Sequence, residues 1–175
     1  MRKRILLLLV LILQISLFHN IFALAEGPKN YLKGKFYSSV KDHFLVATEK
    51  MRDDRFAKTV IVMLESDENG AWGLVVNKHL GTMPIALLID PSLNTSEERE
   101  KLYGVNIPVF WGGPVDVKHI FILHSTEYQS DTTKNYGNIS ISQDYNILFD
   151  IAKNKGPEKS LIIFGYSGWG SGQLE

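Results

Sequence analysis

The feature that most constrains this chain is a series of short apolar runs, at residues 44–48, 60–64, 71–77, 108–111, 120–124, 137–141 and 161–164, separated by polar or glycine- and proline-containing connections. Runs of this length, rich in branched and aromatic side chains, read as β-strands. Ser66-Asp67-Glu68-Asn69-Gly70 joins the second and third runs by a polar loop ending in glycine, which predicts a hairpin. Apolar side chains on both faces of residues 60–64 place that strand inside a sheet. Strands outnumber helices and hairpin order dominates. The expectation is an α+β fold, a single domain with a mixed, twisted, mostly antiparallel β-sheet flanked by a few helices.

Three segments carry helical signals. Residues 82–89 read as a short helix with Pro84 in its first turn. Thr95-Ser96-Glu97-Glu98 matches a capping box, but the segment it opens has only Leu102 and Tyr103 to bury, so it reads as a solvated helix or an insertion. Ser142 is expected to cap a third helix with Tyr145, Leu148, Phe149 and Ala152 on one stripe, Lys153 and Lys155 near its negative end, and Gly156-Pro157 as the stop. Residues 49–57 read as a polar connection with Met51 and Phe56 turned inward, and residues 127–138 as a polar loop.

Ahead of these elements stands a different kind of sequence. Arg2, Lys3 and Arg4 precede an apolar run over residues 5–13, and Ala23-Leu24-Ala25 offers a small-x-small cleavage site. Gln14, Ser16, His19 and Asn20 interrupt the run before it reaches the roughly 20 apolar residues that a bilayer core requires. Residues 1–25 are therefore expected to be an export signal, with membrane contact only through this segment if it stays uncleaved. Residues 26–43 read as a linker with Tyr31, Leu32 and Phe36 as docking points. Removing the signal takes away three of the 19 basic residues and none of the 19 acidic ones, leaving a formal charge of −3. No nucleic-acid partner is expected from that balance. With no cysteine, disulfides, thiol catalysis and thiolate metal sites are excluded.

Tests for catalytic and cofactor patterns fail one by one. Gly165, Gly168, Gly170 and Gly172 follow an apolar strand, as in phosphate cradles, but their spacing is not G-x-G-x-x-G and no Lys-Ser or Lys-Thr follows. The glycines read as structural, with Trp169 packed between them. Ser167 lies in Gly165-Tyr166-Ser167-Gly168-Trp169, where Trp169 occupies the position at which a nucleophile elbow requires glycine. His119 and His124 are five apart, on opposite faces of a strand, and lack a second ligand pair. No metal and no cofactor is expected. Asn94-Thr95-Ser96 and Asn138-Ile139-Ser140 match a glycosylation sequon, which matters only in a eukaryotic source.

Several blocks taken in order resemble the AlgH/YqgE family of bacterial proteins: Phe44-Leu45-Val46-Ala47-Thr48, Met51-Arg52-Asp53, residues 56–65, Gly70-Ala71-Trp72-Gly73-Leu74-Val75-Val76-Asn77, Trp111-Gly112-Gly113-Pro114-Val115, Leu123-His124-Ser125, and the glycine-rich stretch with Gln173-Leu174-Glu175. The resemblance covers residues 44–175 and implies a compact α+β domain. It implies little chemistry, because the family is largely uncharacterised and its best-known label is regulator of alginate production and related gene expression. Polar or turn positions that coincide with the family blocks are Asn77, Gly112, Gly113, His124, Ser125, Tyr166, Trp169 and Gln173, and these are the expected ligand or partner site, provided the turns at residues 112–114 and 165–172 meet.

The resemblance has departures. Relatives generally begin near the first strand and look cytosolic, many carry proline where Glu49 stands, and they continue past the Gly-Gln-Leu-Glu block, where this chain stops at Glu175. The expectation is a non-enzymatic binding or regulatory domain exported to the periplasm or cell envelope, acting on a protein or small-molecule partner, and either truncated at its C-terminus or lacking that element. The alternatives are a hydrolase or transferase using His124 with Ser125 or Ser167, and a cytoplasmic transcriptional regulator.

Overall fold

Nine strands are laid out in a computed structural model that describes residues 39–89, 97, 100 and 102–174. In chain order they are β1 (Phe44–Val46), β2 (Val60–Asp67), β3 (Gly70–Val75), β4 (His79–Pro84), β5 (Asn106–Trp111), β6 (Val115–His124), β7 (Lys134–Tyr136), β8 (Ile139–Ser142) and β9 (Ser160–Gly170). One α-helix is described end to end, α1 (Asn146–Ala152). The strand order is β1-β2-β3-β9-β6-β8-β7, with β5 bridging β9 to β4. Every pairing is antiparallel except β5 with β9, so the sheet is mixed and mostly antiparallel.

The long strand β9 holds the sheet together. Its first half lies between β5 and β6, with Ile162 opposite both Val109 and Ile122. Its second half, from Ser167 to Gly170, pairs with β3. Between them Gly165 takes a φ of +70°, a conformation that a side chain disfavours. Gly112 and Gly113 close onto this corner so tightly that a Cβ on either would overlap the backbone of Gly165 or Tyr166. The Gly112 N–H donates to the Phe164 carbonyl at 2.8 Å, and the Ser167 hydroxyl donates to the Gly112 carbonyl at 3.0 Å. The glycine-rich stretch is thus largely strand rather than loop, and its structural reading holds at the corner.

Alternation of side chains across the strands sorts the core into three clusters. One, with Leu64, Leu74, Phe121 and Ile163, fills the inner face of the bent sheet. A second, with Ile85, Ile122, Ile147 and Ile162, lies under α1 and the segment after β4. The third packs Ile61, Met63 and Val75 against Val40, Phe56, Trp111 and Trp169.

Several local expectations are corrected. Residues 82–84 belong to β4, and the expected helix shrinks to a 3-10 turn at Ile85–Leu87. Pro84 sits at ψ 132° opposite Asn106, a place where a strand at the sheet's edge tolerates proline. Ser142 ends β8 and does not cap α1; instead Asp144 Oδ1 accepts the Asn146 N–H at 2.8 Å. The buried face of α1 is Ile147 and Leu148, while Tyr145 is 38% exposed. The helix ends at Ala152, before Gly156, because Asn154 turns the chain left-handed at φ +55°. With one short helix described, and helical conformation at Glu97, Glu100 and Leu102, α+β with a few flanking helices fits only roughly. Phe56 packs inward as expected, but Met51 is exposed, and the expected loop at 127–138 contains β7.

The end of the expected linker is pinned. Ser39 Oγ donates to the Ser66 carbonyl at 2.8 Å, and the Met63 N–H donates to the His43 carbonyl at 2.9 Å. The export signal, the docking points Tyr31, Leu32 and Phe36, most of the capping box, both ends of the question at Glu175 and the Asn94 sequon lie outside the described residues. Among those described, no helix is long and apolar enough to cross a membrane.

Candidate functional site

A cleft of about 670 Å³ opens at the end of the inner face where β2, β3, β9 and β6 meet. Its origin is a set of strand pairings. A bulge between Met63 and Glu65 brings Glu65 opposite Trp72, Trp72 is in turn opposite Gly168, and Gly70 is opposite Gly170. Where a side chain would normally cover the sheet beside the Trp72 indole, glycine leaves a gap. The floor is an aromatic triangle in which Trp72 lies 5.8 Å from Phe121 and 5.9 Å from Tyr166, and those two lie 6.1 Å apart, ring centre to ring centre. Such tilted and edge-on contacts hold aromatic rings in place.

The rim is acidic and polar. Glu65, Asp67, Asn69 and Gln143 contribute to the lining, and among the described residues no lysine or arginine does. Glu65 accepts a hydrogen bond from the Tyr136 hydroxyl at 3.3 Å, and Asp67 Oδ1 accepts the Asn69 N–H at 2.7 Å. Burial first, then the Glu65 charge, raises the Tyr136 hydroxyl above its ordinary pKa. Beside the floor, the His119 ring lies tilted against Phe121, 4.6 Å between centres, and its buried Nε2 has no hydrogen-bond partner among the described residues.

Of the eight residues expected at the site, Tyr166 and Trp169 line this cleft. The others lie elsewhere. Asn77 fastens a turn, its Oδ1 accepting the Val60 N–H at 2.8 Å and its Nδ2 donating to the Lys58 carbonyl at 2.9 Å. Gly112 and Gly113 form the corner against β9. Gln173 Oε1 accepts the Gly170 N–H at 2.8 Å. The turns at 112–114 and 165–172 do meet, but through backbone packed too closely to leave space for a ligand.

His124 and Ser125 sit at the far end of β6. His124 is 3% exposed; its Nδ1 lies 2.8 Å from the Ser125 carbonyl oxygen and its Nε2 lies 2.9 Å from Ser142 Oγ. Ser125 Oγ instead donates to Glu127 Oε1 at 2.7 Å, and Ser167 is buried at the corner. His124 therefore meets the hydroxyl of neither serine expected to act with it, touching Ser125 only at its carbonyl. Glu127 also accepts the Glu158 N–H at 2.6 Å, and this bond, followed by the Ser125 hydroxyl, holds its carboxyl below the ordinary range.

Glu65, Asp67, Trp72 and Phe121 did not stand out in the sequence. The hairpin itself was expected, but the two-residue loop at Glu68 and Asn69 that sets Asp67 against Gly70 and Glu65 against Trp72 is seen only in the strand pairing.

Together, the mixed sheet and its open aromatic cleft make this a mainly antiparallel β protein with a surface cleft beside the end of β9. The chain belongs to the AlgH-like family, whose model matches residues 44–175. It is 38% identical over 144 residues to the UPF0301 protein AlgH of Pseudomonas aeruginosa, covering 78% of this chain and 70% of that one. A UPF0301 protein of Stutzerimonas stutzeri is 36% identical over 146 residues, covering 82% and 75%. The solution structure of the Pseudomonas aeruginosa AlgH protein matches with a TM-score of 0.62 at 36% identity, over 79% of this chain and 72% of that one. A crystal structure of a Corynebacterium diphtheriae protein, 13% identical, shares the fold at a TM-score of 0.54 over 85% and 76%.

Proposed function

We propose that this AlgH-like protein is a non-enzymatic binding domain with a regulatory role, and that the aromatic cleft is where its protein or small-molecule partner sits. The observation that carries this reading is the cleft itself: about 670 Å³, floored by fixed rings and rimmed by hydrogen-bonding side chains. Sites for small ligands have that size and that mixture of apolar floor and few polar groups. The pairing of His124 with a fully buried serine supports binding over hydrolysis.

The charged, apolar and small-residue order of residues 1–25 supports action in the periplasm or cell envelope. Fusing residues 1–30 to a reporter that works only outside the cytoplasm tests this, and a silent reporter would favour the cytoplasmic alternative. For the cleft, the full-length chain and its Trp72→Ala and Tyr166→Ala variants are recovered from cells and examined by native mass spectrometry after pull-down. A partner kept by the native chain and lost from both folded variants supports the reading. Equal retention by all three, or no partner at all, sinks it.

A further inference from the structure

A chemically reactive pair stands at the lip of the cleft. Asn69 ends the loop between β2 and β3, Gly70 starts β3, and Asn69 is the one asparagine in the chain that is followed by glycine. A backbone nitrogen can attack the side-chain amide carbon of the asparagine before it, because the ring that forms has five members. The attack meets least obstruction where the attacking residue has no Cβ. Asparagine counts among the thermolabile residues for this kind of chemistry.

The surroundings favour the reaction. Asn69 is exposed, so water reaches its amide carbon and ammonia can leave. Its side chain makes no hydrogen bond among the described residues; its backbone N–H is held by Asp67 Oδ1 at 2.7 Å. Glycine cannot be exchanged at position 70, where φ is +144° and a Cβ would overlap the Trp169 carbonyl oxygen. The packing of the hairpin against β9 therefore keeps the unhindered residue after Asn69. Asn77 offers the contrast, since its amide is bonded at both ends, to the Val60 N–H and the Lys58 carbonyl, and lysine follows it.

We propose that Asn69 is a self-modification site: the Gly70 nitrogen bonds to the Asn69 side-chain carbon, the amide nitrogen leaves as ammonia with the Gly70 proton, and water opens the resulting succinimide. Opening at the side-chain carbonyl restores the main chain and leaves aspartate. Opening at the main-chain carbonyl leaves isoaspartate, whose main chain is longer by a methylene carbon. Either product adds a carboxylate to a rim that already holds Glu65 and Asp67. Isoaspartate does more, because the hairpin tip is pinned by Asp67 Oδ1 on one side and by the Ser171 hydroxyl, which donates to the Glu68 carbonyl, on the other. The extra carbon is taken up in the pairing of Asp67 with Gly70, and it disturbs the placing of Glu65 opposite Trp72. The site thus alters the cleft as the molecule ages, whether or not a partner occupies it.

The test incubates the folded, isotope-labelled full-length chain in mildly alkaline buffer at body temperature, with an unincubated sample as reference. The tryptic peptide 59–78, which holds both Asn69 and Asn77, is then mapped by mass spectrometry and by labelling with an isoaspartate methyltransferase. Asn69 should convert at least about tenfold faster than Asn77, with isoaspartate among the products. The Trp72 indole resonance should shift as isoaspartate accumulates, and an Asn69→Gln variant should show neither the conversion nor the shift. Conversion of Asn69 no faster than that of Asn77, or conversion only after unfolding in urea, would overturn the assignment. Aspartate without isoaspartate would overturn the succinimide route, and an unmoved Trp72 resonance would overturn the effect on the cleft.

Discussion

His124 and Ser142 meet diagonally across the neighbouring strands β6 and β8, where His124 is opposite Ser140 and Ser142 opposite Ile122, with Nε2 2.9 Å from Oγ. The Nδ1 side faces the Ser125 carbonyl, which accepts only, so the ring proton sits on Nδ1 and Nε2 accepts the serine proton. Ser142 Oγ in turn lies 2.8 Å from Thr133 Oγ1, which receives the Ser130 N–H at 2.9 Å. This is the local arrangement of a general base and its nucleophile, but Ser142 is 0% exposed. The relay therefore acts as a polar clasp in the core. Ser142→Ala should lower stability by about 1–3 kcal/mol, since it strands His124 Nε2 in the interior. Urea unfolding checks this, and a serine-directed fluorophosphonate should leave the folded native chain unlabelled at Ser142.

The corner of β9 gives a second prediction. Gly112→Ala pushes a methyl group into the Gly165 carbonyl and toward Ile163, and backbone on both sides leaves little room to yield. The expected loss is about 3 kcal/mol or more. Gly170→Ala is the control: among the described residues its nearest neighbour would be Gln173 Oε1 at 3.8 Å, and its φ is ordinary. Thermal unfolding of the two variants should differ widely, and equal midpoints would argue against the corner as described.

Alkaline pH should loosen the fold through Tyr128. Its hydroxyl donates to Asp150 Oδ2 at 2.7 Å, and burial, then this bond and the Asp150 charge, push its pKa from 10.0 up to about 12. The folded state then holds the phenolic proton more tightly than the unfolded chain does. The stabilisation is full below pH 10 and is lost as pH rises toward 12. Tyr128→Phe should cost about 1–2 kcal/mol at neutral pH and flatten the alkaline decline, as measured by denaturation at several pH values.

On the acid side the sign reverses at Glu127. The Glu158 N–H and the Ser125 hydroxyl favour the carboxylate, so its folded pKa lies below the ordinary 4.5. Its contribution is present above that value and disappears as pH falls through the lower, folded one. Glu127→Gln should reduce the acid sensitivity of the β6–β9 end, read by hydrogen exchange at the Glu158 and Lys159 amides as pH is lowered below the ordinary carboxylate range.

The strands were legible because branched and aromatic runs leave few alternatives, and the hairpin was legible from its polar loop, but its register was not, since the Asn69-Gly70 pair suits the centre of a turn and the structure instead sets Asp67 opposite Gly70. β7 was not, since Lys134, Asn135 and Tyr136 show no strand-like alternation and take strand form through their pairing with β8. Residues 82–84 misled because Met83 and Pro84 suit a first helical turn as well as an edge strand, and only the partner Ile107 decides. In the cleft, Tyr166 and Trp169 were visible as aromatics among glycines. Phe121 and Val115 were not, because their place there follows from β6 lying beside β9, a pairing of distant segments that no local spacing encodes.

Because β9 is preceded in the chain by β3, β5 and β6, and joins all three, none of them acquires its full set of neighbours until residues 160–170 have been synthesised. Most of the sheet must wait, with its apolar faces uncovered, for the strand that completes it. A nascent chain built this way cannot close its sheet before β9 is made, and until then its strands are open to misplaced pairing or to capture by chaperones.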